Sequence, residues 1–336
     1  MKSTVGTSAA GSSEPRTIQG VTKAGILVFR KTGALLPLFL IMLLYFSFAT
    51  EFFFTERNFG TVTTQAVYFT IIVIAQAIVM ISGGFDLSVG SNVSLTSIIT
   101  AMVVVTFSGP GGILLAVALG LLTGALVGAA NGLIIAIFRV SPLIVTLAMA
   151  SVVSGIALII TGGGPIFNLP LEFRQALYTG SVLGMPSPWL VALIIIAVAY
   201  VVLYWHRFGR NLYAVGGNPQ SAHIAGVPVR WTLFLAYTVA GLLVGLAAVL
   251  LTARVGSGEP NLGGQLALQS IAAAVLGGIS LRGGQGVLWG AILGAIFLIM
   301  LRNGLDLSGV SSYMQMVITG MLLVLAVVVD RYMNRN

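Results

Sequence analysis

Chemistry has few places to reside in this chain. Cysteine is absent and the two histidines are His206 and His223, which argues against a thiolate nucleophile, a disulfide framework or a structural metal centre. The three lysines, Lys2, Lys23 and Lys31, lie near the N-terminus and none follows a glycine-rich loop. A phosphate-cradling loop needs such a lysine, so the chain encodes no ATP-hydrolysing site, and any ATP energy has to arrive from another polypeptide. Paired carboxylates and a Ser/His/Asp set are also missing. One acid stands out: Asp86, within Ser82-Gly-Gly-Phe-Asp-Leu-Ser-Val-Gly90, where two apolar runs meet almost without a loop. An ionisable group at a membrane break is a functional candidate. The structural reading carries more weight: Gly83 and Gly84 end one helix and Asp86 caps the next against its macrodipole. Neutral polar residues inside the apolar runs, among them Asn92, Thr146, Gln269 and Gln315, can hydrogen-bond a passing neutral solute and are the pore candidates. More often such groups bond across neighbouring helices.

Those residues need a scaffold, and composition names its solvent. The chain is 57% apolar and 7% charged, against roughly a quarter charged in soluble domains, which makes it an all-α polytopic membrane protein. A net charge of +8 does not signal nucleic-acid binding, because no basic soluble domain exists to carry it. At about 20 apolar residues per span, ten helices are predicted: Gly33–Thr50, Thr61–Ser82, Leu87–Phe107, Gly112–Phe138, Pro142–Thr161, Pro188–Trp205, Trp231–Thr252, Gln265–Ser280, Gln285–Leu301 and Ser312–Val329. Residues 1–32 read as a disordered cytoplasmic tail and 33–336 as a single transmembrane domain. With both termini inside, only Arg57, Arg174, Arg254 and Arg302 of the 16 cations fall outside, as the positive-inside rule asks. The connection Gly162–Ser187 is the longest on the outer face, either a plain surface loop or a contact for an external partner.

Two internal matches compete. Gly83–Gly90 resembles Gly277–Gly284 at an offset of 194, over one short window. A second series keeps register over a longer stretch: Asp86-Leu87 with Asn261-Leu262, Ser97-Ile98 with Ser270-Ile271, Gly120-x-x-x-Gly124-Ala with Gly290-x-x-x-Gly294-Ala, and Asn131-Gly-Leu with Asn303-Gly-Leu, at offsets of 175, 173, 170 and 172. It maps helices 2–5 onto 7–10. A shift of five spans inverts the second copy in the bilayer, an architecture of transporters. On this map Asn261 is the partner of Asp86 and caps the eighth helix.

One polar segment is built to stand out from the apolar background, within a loop 206–230. Asn218 can cap orphan N–H groups, Pro219 suits the first helical position, and Gly226 followed by Pro228 stops the turn. Arg207, Arg210 and Arg230 flank it, which places it in the cytoplasm.

The motifs Gly-Gly-Phe-Asp-Leu-Ser-Val-Gly-Ser at 83–91, Gly-Arg-Asn-Leu-Tyr-Ala-Val-Gly-Gly-Asn-Pro-Gln-Ser-Ala-His-Ile-Ala-Gly-Val at 209–227 and Leu-Gly-Gly-Ile-Ser-Leu-Arg-Gly-Gly-Gln-Gly at 276–286 resemble the ribose-type permeases, the membrane subunits of bacterial ABC importers for monosaccharides. The resemblance implies a type II importer-like fold, a pore formed with a second permease copy or paralogue, and ATPase subunits that carry ATP and Mg. It further implies a periplasmic or lipid-anchored sugar-binding protein and a place in the bacterial plasma membrane. The helix Asn218, Pro219, Gln220, Ser221, Ala222, His223, Ile224, Ala225 and Gly226 is then the coupling helix to the ATPase, and Gly83, Gly84, Asp86 and Asn261 are helix-break or gate candidates. The family more often has Ile where Phe85 stands, and an Ala-Ala pair within Gln220–His223. The rival class is an ion-coupled secondary transporter of a small polar solute. Such machines carry acids or histidines along their route, whereas here the spans offer essentially Asp86. A passive channel and a membrane enzyme rank lower.

Overall fold

The computed structural model describes residues 35–182 and 184–333, so the tail expected over 1–32 lies outside the described residues. The helices are α1 (Leu35–Ala49), α2 (Glu56–Ile81), α3 (Val89–Thr106), α4 (Gly109–Phe138), α5 (Pro142–Thr161), α6 (Leu171–Arg174), α7 (Ser187–Tyr204), α8 (Arg207–Gly217), α9 (Pro219–Ile224), α10 (Val229–Val255), α11 (Leu266–Leu276), α12 (Leu288–Leu307) and α13 (Ser312–Met333). Each predicted span falls on an apolar helix. Among the described residues seven are long and apolar enough to cross a membrane, and three apolar helices are shorter: α1, α11 and the stretch Ser312–Leu325 of α13.

The prediction Gln265–Ser280 needs correcting. The helix there has 11 residues, about 16 Å at 1.5 Å per residue, and a hydrocarbon core is about 30 Å thick. It is a half-length helix with irregular backbone on both sides. Its stop explains the short-window match. Gly83 after α2 and Gly278 after α11 both adopt left-handed backbone, with φ of 88° and 84°. The next amide reaches back five residues in each case, Gly84 N to Val79 O and Ile279 N to Ala274 O. The 194-residue likeness is thus a shared helix-stop motif.

The longer register is the one the fold obeys. α3 packs on α4 and α5 as α11 packs on α12 and α13, and the cross-pairs α4 with α10 and α2 with α12 correspond in the same way. The mates α2 and α10 run antiparallel: Gly84 lies against Tyr237, while Tyr68 meets the Arg254 guanidinium, which sits 5.2 Å from its ring centroid. Gly90 and Gly263, at an offset of 173 (263 minus 90), touch reciprocally, each with its Cα against the other's carbonyl. Such a self-complementary contact is what a two-fold axis between the repeats produces. The glycine ridges diverge from this pattern, since Gly120 and Gly124 face α10 but Gly290 and Gly294 face α11.

α2 and α3 form the centre and are the most buried of the spans, and α10 against α4 is the most extensive helix pair. At Gly124 a Cβ would lie 2.7 Å from the Cα of Gly245, so small residues four apart let two backbones meet directly. The connection 162–187 is more than a plain loop. It contains α6, a π-helical turn Gln175–Thr179 and a hairpin pairing Ser181–Val182 with Met185–Pro186. Phe173 is buried with Val104, Ala116, Val249 and Ala253, and Ile166 bridges Gly258.

Candidate functional site: an exposed ledge and a buried break

The ledge begins with α8, a helix that sequence reasoning did not separate from the polar loop. His206 starts it, its Nδ1 accepting from the Phe208 amide at 3.1 Å. Leu212, Val215 and Gly216 face inward. Tyr213 donates to the Gly286 carbonyl at 3.0 Å, and burial pushes its phenol up to about 12, so it remains a donor. α8 could have been found from its apolar spacing at Phe208, Leu212 and Val215.

Asn218 ends α8 and starts α9. Its side-chain oxygen accepts from the amides of Gln220 at 3.0 Å and Ser221 at 2.9 Å, and Pro219 takes the first helical position. At the other end Gly226 has a φ of 82°, and the Val227 amide returns to the Ala222 carbonyl at 2.9 Å. The predicted start and stop are both present. Only Ala222 of α9 is buried; Gln220, Ser221, His223 and Ala225 are exposed, and Ile224 is 82% exposed. A rigid, capped turn of helix that offers an isoleucine outward is suited to enter a groove on another protein.

The second region is the break between α2 and α3. Asp86 is 2% exposed, and one carboxylate oxygen accepts from the Ser88 amide at 2.8 Å and the Ser88 hydroxyl at 2.6 Å. Asn131 of α4 donates to that hydroxyl at 2.8 Å. Thr146 of α5 accepts from the Leu87 amide at 3.1 Å, and Tyr237 of α10 donates to the Phe85 carbonyl at 3.2 Å. Asp86 therefore shapes the turn ahead of α3, and Ser88 occupies the N-cap position itself. The expectation that Asp86 is the cap is displaced by two residues, because the acid bonds the amide two ahead, the geometry of an Asx-turn. Asn261 does not cap its helix: it is exposed, and α11 starts only after Gln265. Four residues of turn intervene.

The pore candidates spend their polar atoms within the chain. Asn92 donates to the Gly124 carbonyl at 3.3 Å, and Thr146 holds the break as described. Gln269 accepts from Arg302 at 3.1 Å, and Gln315 donates to Asp306 at 2.6 Å and to the Val310 carbonyl at 3.0 Å. Gln269 and Arg302 line a small cavity with Phe69 and Thr319. Tyr237 and Ser88 were not singled out by sequence. A tyrosine well inside an apolar run was the available signal, since its buried hydroxyl needs a partner. Among the described residues no cluster of three His, Cys, Asp or Glu could hold a metal.

Known proteins match this arrangement over nearly its whole length. The ribose import permease protein RbsC of Bacillus subtilis (strain 168) is 36% identical over 305 residues, covering 90% of this chain and 94% of that protein. RbsC of Escherichia coli (strain K12) is 37% identical over 317 residues, covering 92% and 95%. The D-allose transport system permease protein AlsC of Escherichia coli (strain K12) is 31% identical over 309 residues, covering 92% and 94%. No solved structure matches significantly. The resemblance to ribose-type permeases read from the three motifs holds. Residues 58–327 match the family described as branched-chain amino acid transport system / permease component, and the chain belongs to that family.

Proposed function

We propose that this chain is the membrane-spanning subunit of an ATP-driven monosaccharide importer, with ribose the first substrate to test. The observation that carries this reading is α9: a helix capped at both ends, held out from the bundle with Ile224 exposed, on a chain with no phosphate-binding loop of its own. The ATPase that binds ATP and Mg is a separate subunit, docked on residues 218–226 at the cytoplasmic face. A second permease copy or paralogue completes the pore, and a periplasmic or lipid-anchored binding protein delivers the sugar. Both termini lie in the cytoplasm of a bacterial cell. The names of the ribose and allose relatives support the substrate class. Gln269 and Gln315 are the pore candidates to vary first, because Asn92 and Thr146 hold α3, α4 and α5 together.

The test is uptake of labelled ribose into proteoliposomes that contain this chain, an ATPase subunit and a ribose-binding protein. Uptake should require ATP and survive an uncoupler. Uptake that collapses with the uncoupler at constant ATP, and persists without the ATPase, would overturn the reading in favour of an ion-coupled carrier. Replacing His223 or Gly226 by glutamate should leave insertion intact while ATP hydrolysis continues without uptake.

A further inference from the structure

We infer that α8 and the loop Gly277–Val287 form one rigid body, so that Tyr213, Tyr204 and Gly216 act as positioning residues carrying movement of α9 to the half-length helix α11. This rests on the proposal that α9 receives the ATPase. The two helices α8 and α9 share Asn218 as the end of one and the cap of the other, so α9 cannot turn without its neighbour. α8 in turn is fixed to the loop at two separated points, and a third bond ties the helix before it to the residue after the loop. Tyr213 donates to the Gly286 carbonyl at 3.0 Å. Tyr204, the last residue of α7 and separated from α8 by Trp205 and His206, accepts at 3.1 Å from the amide of Leu288, the first residue of α12 after the loop. At the end of α8, backbone meets backbone: a Cβ on Gly284 would lie 2.5 Å from the Cα of Gly217, and one on Gly216 would overlap the Ile81 carbonyl. That same Ile81 carbonyl accepts from the Gly284 amide at 2.9 Å.

Three chain segments, the ends of α2 and α8 and the loop, therefore touch without side chains between them. Backbones in direct contact have no rotamers in which to absorb a displacement, and tightly packed interfaces transmit strain. The loop is internally closed as well, with the Ser280 amide bonded to the Gln285 carbonyl at 3.1 Å and the Arg282 amide to the Ser280 hydroxyl at 3.1 Å. A push on α9 thus arrives at the start of the loop, where Gly277 ends α11. α11 has irregular backbone at both ends and rests backbone to backbone on α12 at Gly277 and Gly290, so it is displaced together with the start of α12.

The experiment uses the complete assembly with the double variant Tyr204→Phe, Tyr213→Phe, which removes two hydroxyls and keeps both rings. Uptake per ATP hydrolysed should fall about tenfold, the loss expected from two net hydrogen bonds, with ATPase binding and basal hydrolysis unchanged. A second readout uses the cysteine-free background. Spin labels at Leu268→Cys on α11 and Ile159→Cys on α5, both exposed, should show an ATP-dependent distance change that the double variant loses. Should the double variant fail to assemble, Tyr213→Phe alone is read in the same way, with a smaller loss. Unchanged coupling and an unchanged distance shift in the variants would overturn the linkage while leaving α9 as the docking helix. A wild-type assembly that neither binds the ATPase nor couples would instead overturn the docking proposal on which the linkage rests.

Discussion

Two breaks interrupt the bundle at positions related by the internal repeat, 82–88 ahead of α3 and 256–265 ahead of α11, and they are closed in different ways. The first is held from three sides, by Asn131 of α4, Thr146 of α5 and Tyr237 of α10, with Asp86 buried at its centre. The second runs antiparallel along α3 alone: Gly258 lies by Ala101, the Glu259 amide donates to Ser97 at 3.3 Å, and the Gly263 amide donates to Ser94 at 3.1 Å. Its other attachments are the bridge to Ile166 and the side chain of Arg174 beside Gly256. Each break has an acid bonded to a serine two residues away, Asp86 to Ser88 and Glu259 to Ser257, so the local chemistry is shared. The surroundings differ. A segment bonded to three helices can move only if all three release it, whereas one laid along a single helix can slide or peel. The contrast predicts that rearrangement is concentrated in the second half, around α11.

The contrast can be broken in order of expected effect. Gly90, in the first turn of α3, meets Gly263 of the second break, and a Cβ at Gly90 would lie 2.5 Å from the Gly263 carbonyl oxygen. Gly90→Leu should cost about 3 kcal/mol or more by overpacking, seen as loss of the monodisperse peak in detergent size-exclusion; a normal peak would mean that the second break does not rest on the start of α3. Asp86→Ala strands the amide and hydroxyl of Ser88, at about 1–3 kcal/mol, and should lower the thermal inactivation temperature clearly. Tyr237→Phe removes one donor from a carbonyl that Thr146 also serves at 3.3 Å, so about 0.6 kcal/mol is expected, the average for polar contacts between membrane helices. Ser94→Ala should cost no more than about that amount, and it should loosen the 256–265 segment in hydrogen exchange without altering 82–88. If Ser94→Ala destabilises as much as Asp86→Ala, the two breaks are equally locked.

How far the sequence could carry this depended on distance along the chain. The caps of α9 need only Asn218, Pro219 and Gly226 within one short window, and they are where they were expected. The ten apolar runs were equally visible, because each is a continuous local signal. The half-length of α11 was not, since an apolar count runs through Gly277 and Gly278 without registering that they stop the helix. Asp86 illustrates the remaining limit. Its type and place suggested a cap, but its network passes through Ser88 to Asn131, 43 residues away, and to helices whose adjacency no local pattern encodes. Asn261 matched Asp86 in register, yet the ten-residue length of its break leaves it outside the helix start.

The contact between Gly90 and Gly263 also bears on how the protein is made. Its partners are separated by more than half the chain, and those of the α4–α10 pair, where Gly124 meets Gly241 and Gly245, by more than a third. The first five helices can enter a bilayer in order as they are synthesised, but the glycine face of α4 and Ser94 and Ser97 of α3 lack their later partners until α10 and the segment after it arrive. Contacts of such separation form late. A ribosome paused between residues 205 and 229 would leave a half-protein whose hydroxyls and bare backbone face lipid or another chain. That interval is the period in which membrane quality control has the most to recognise.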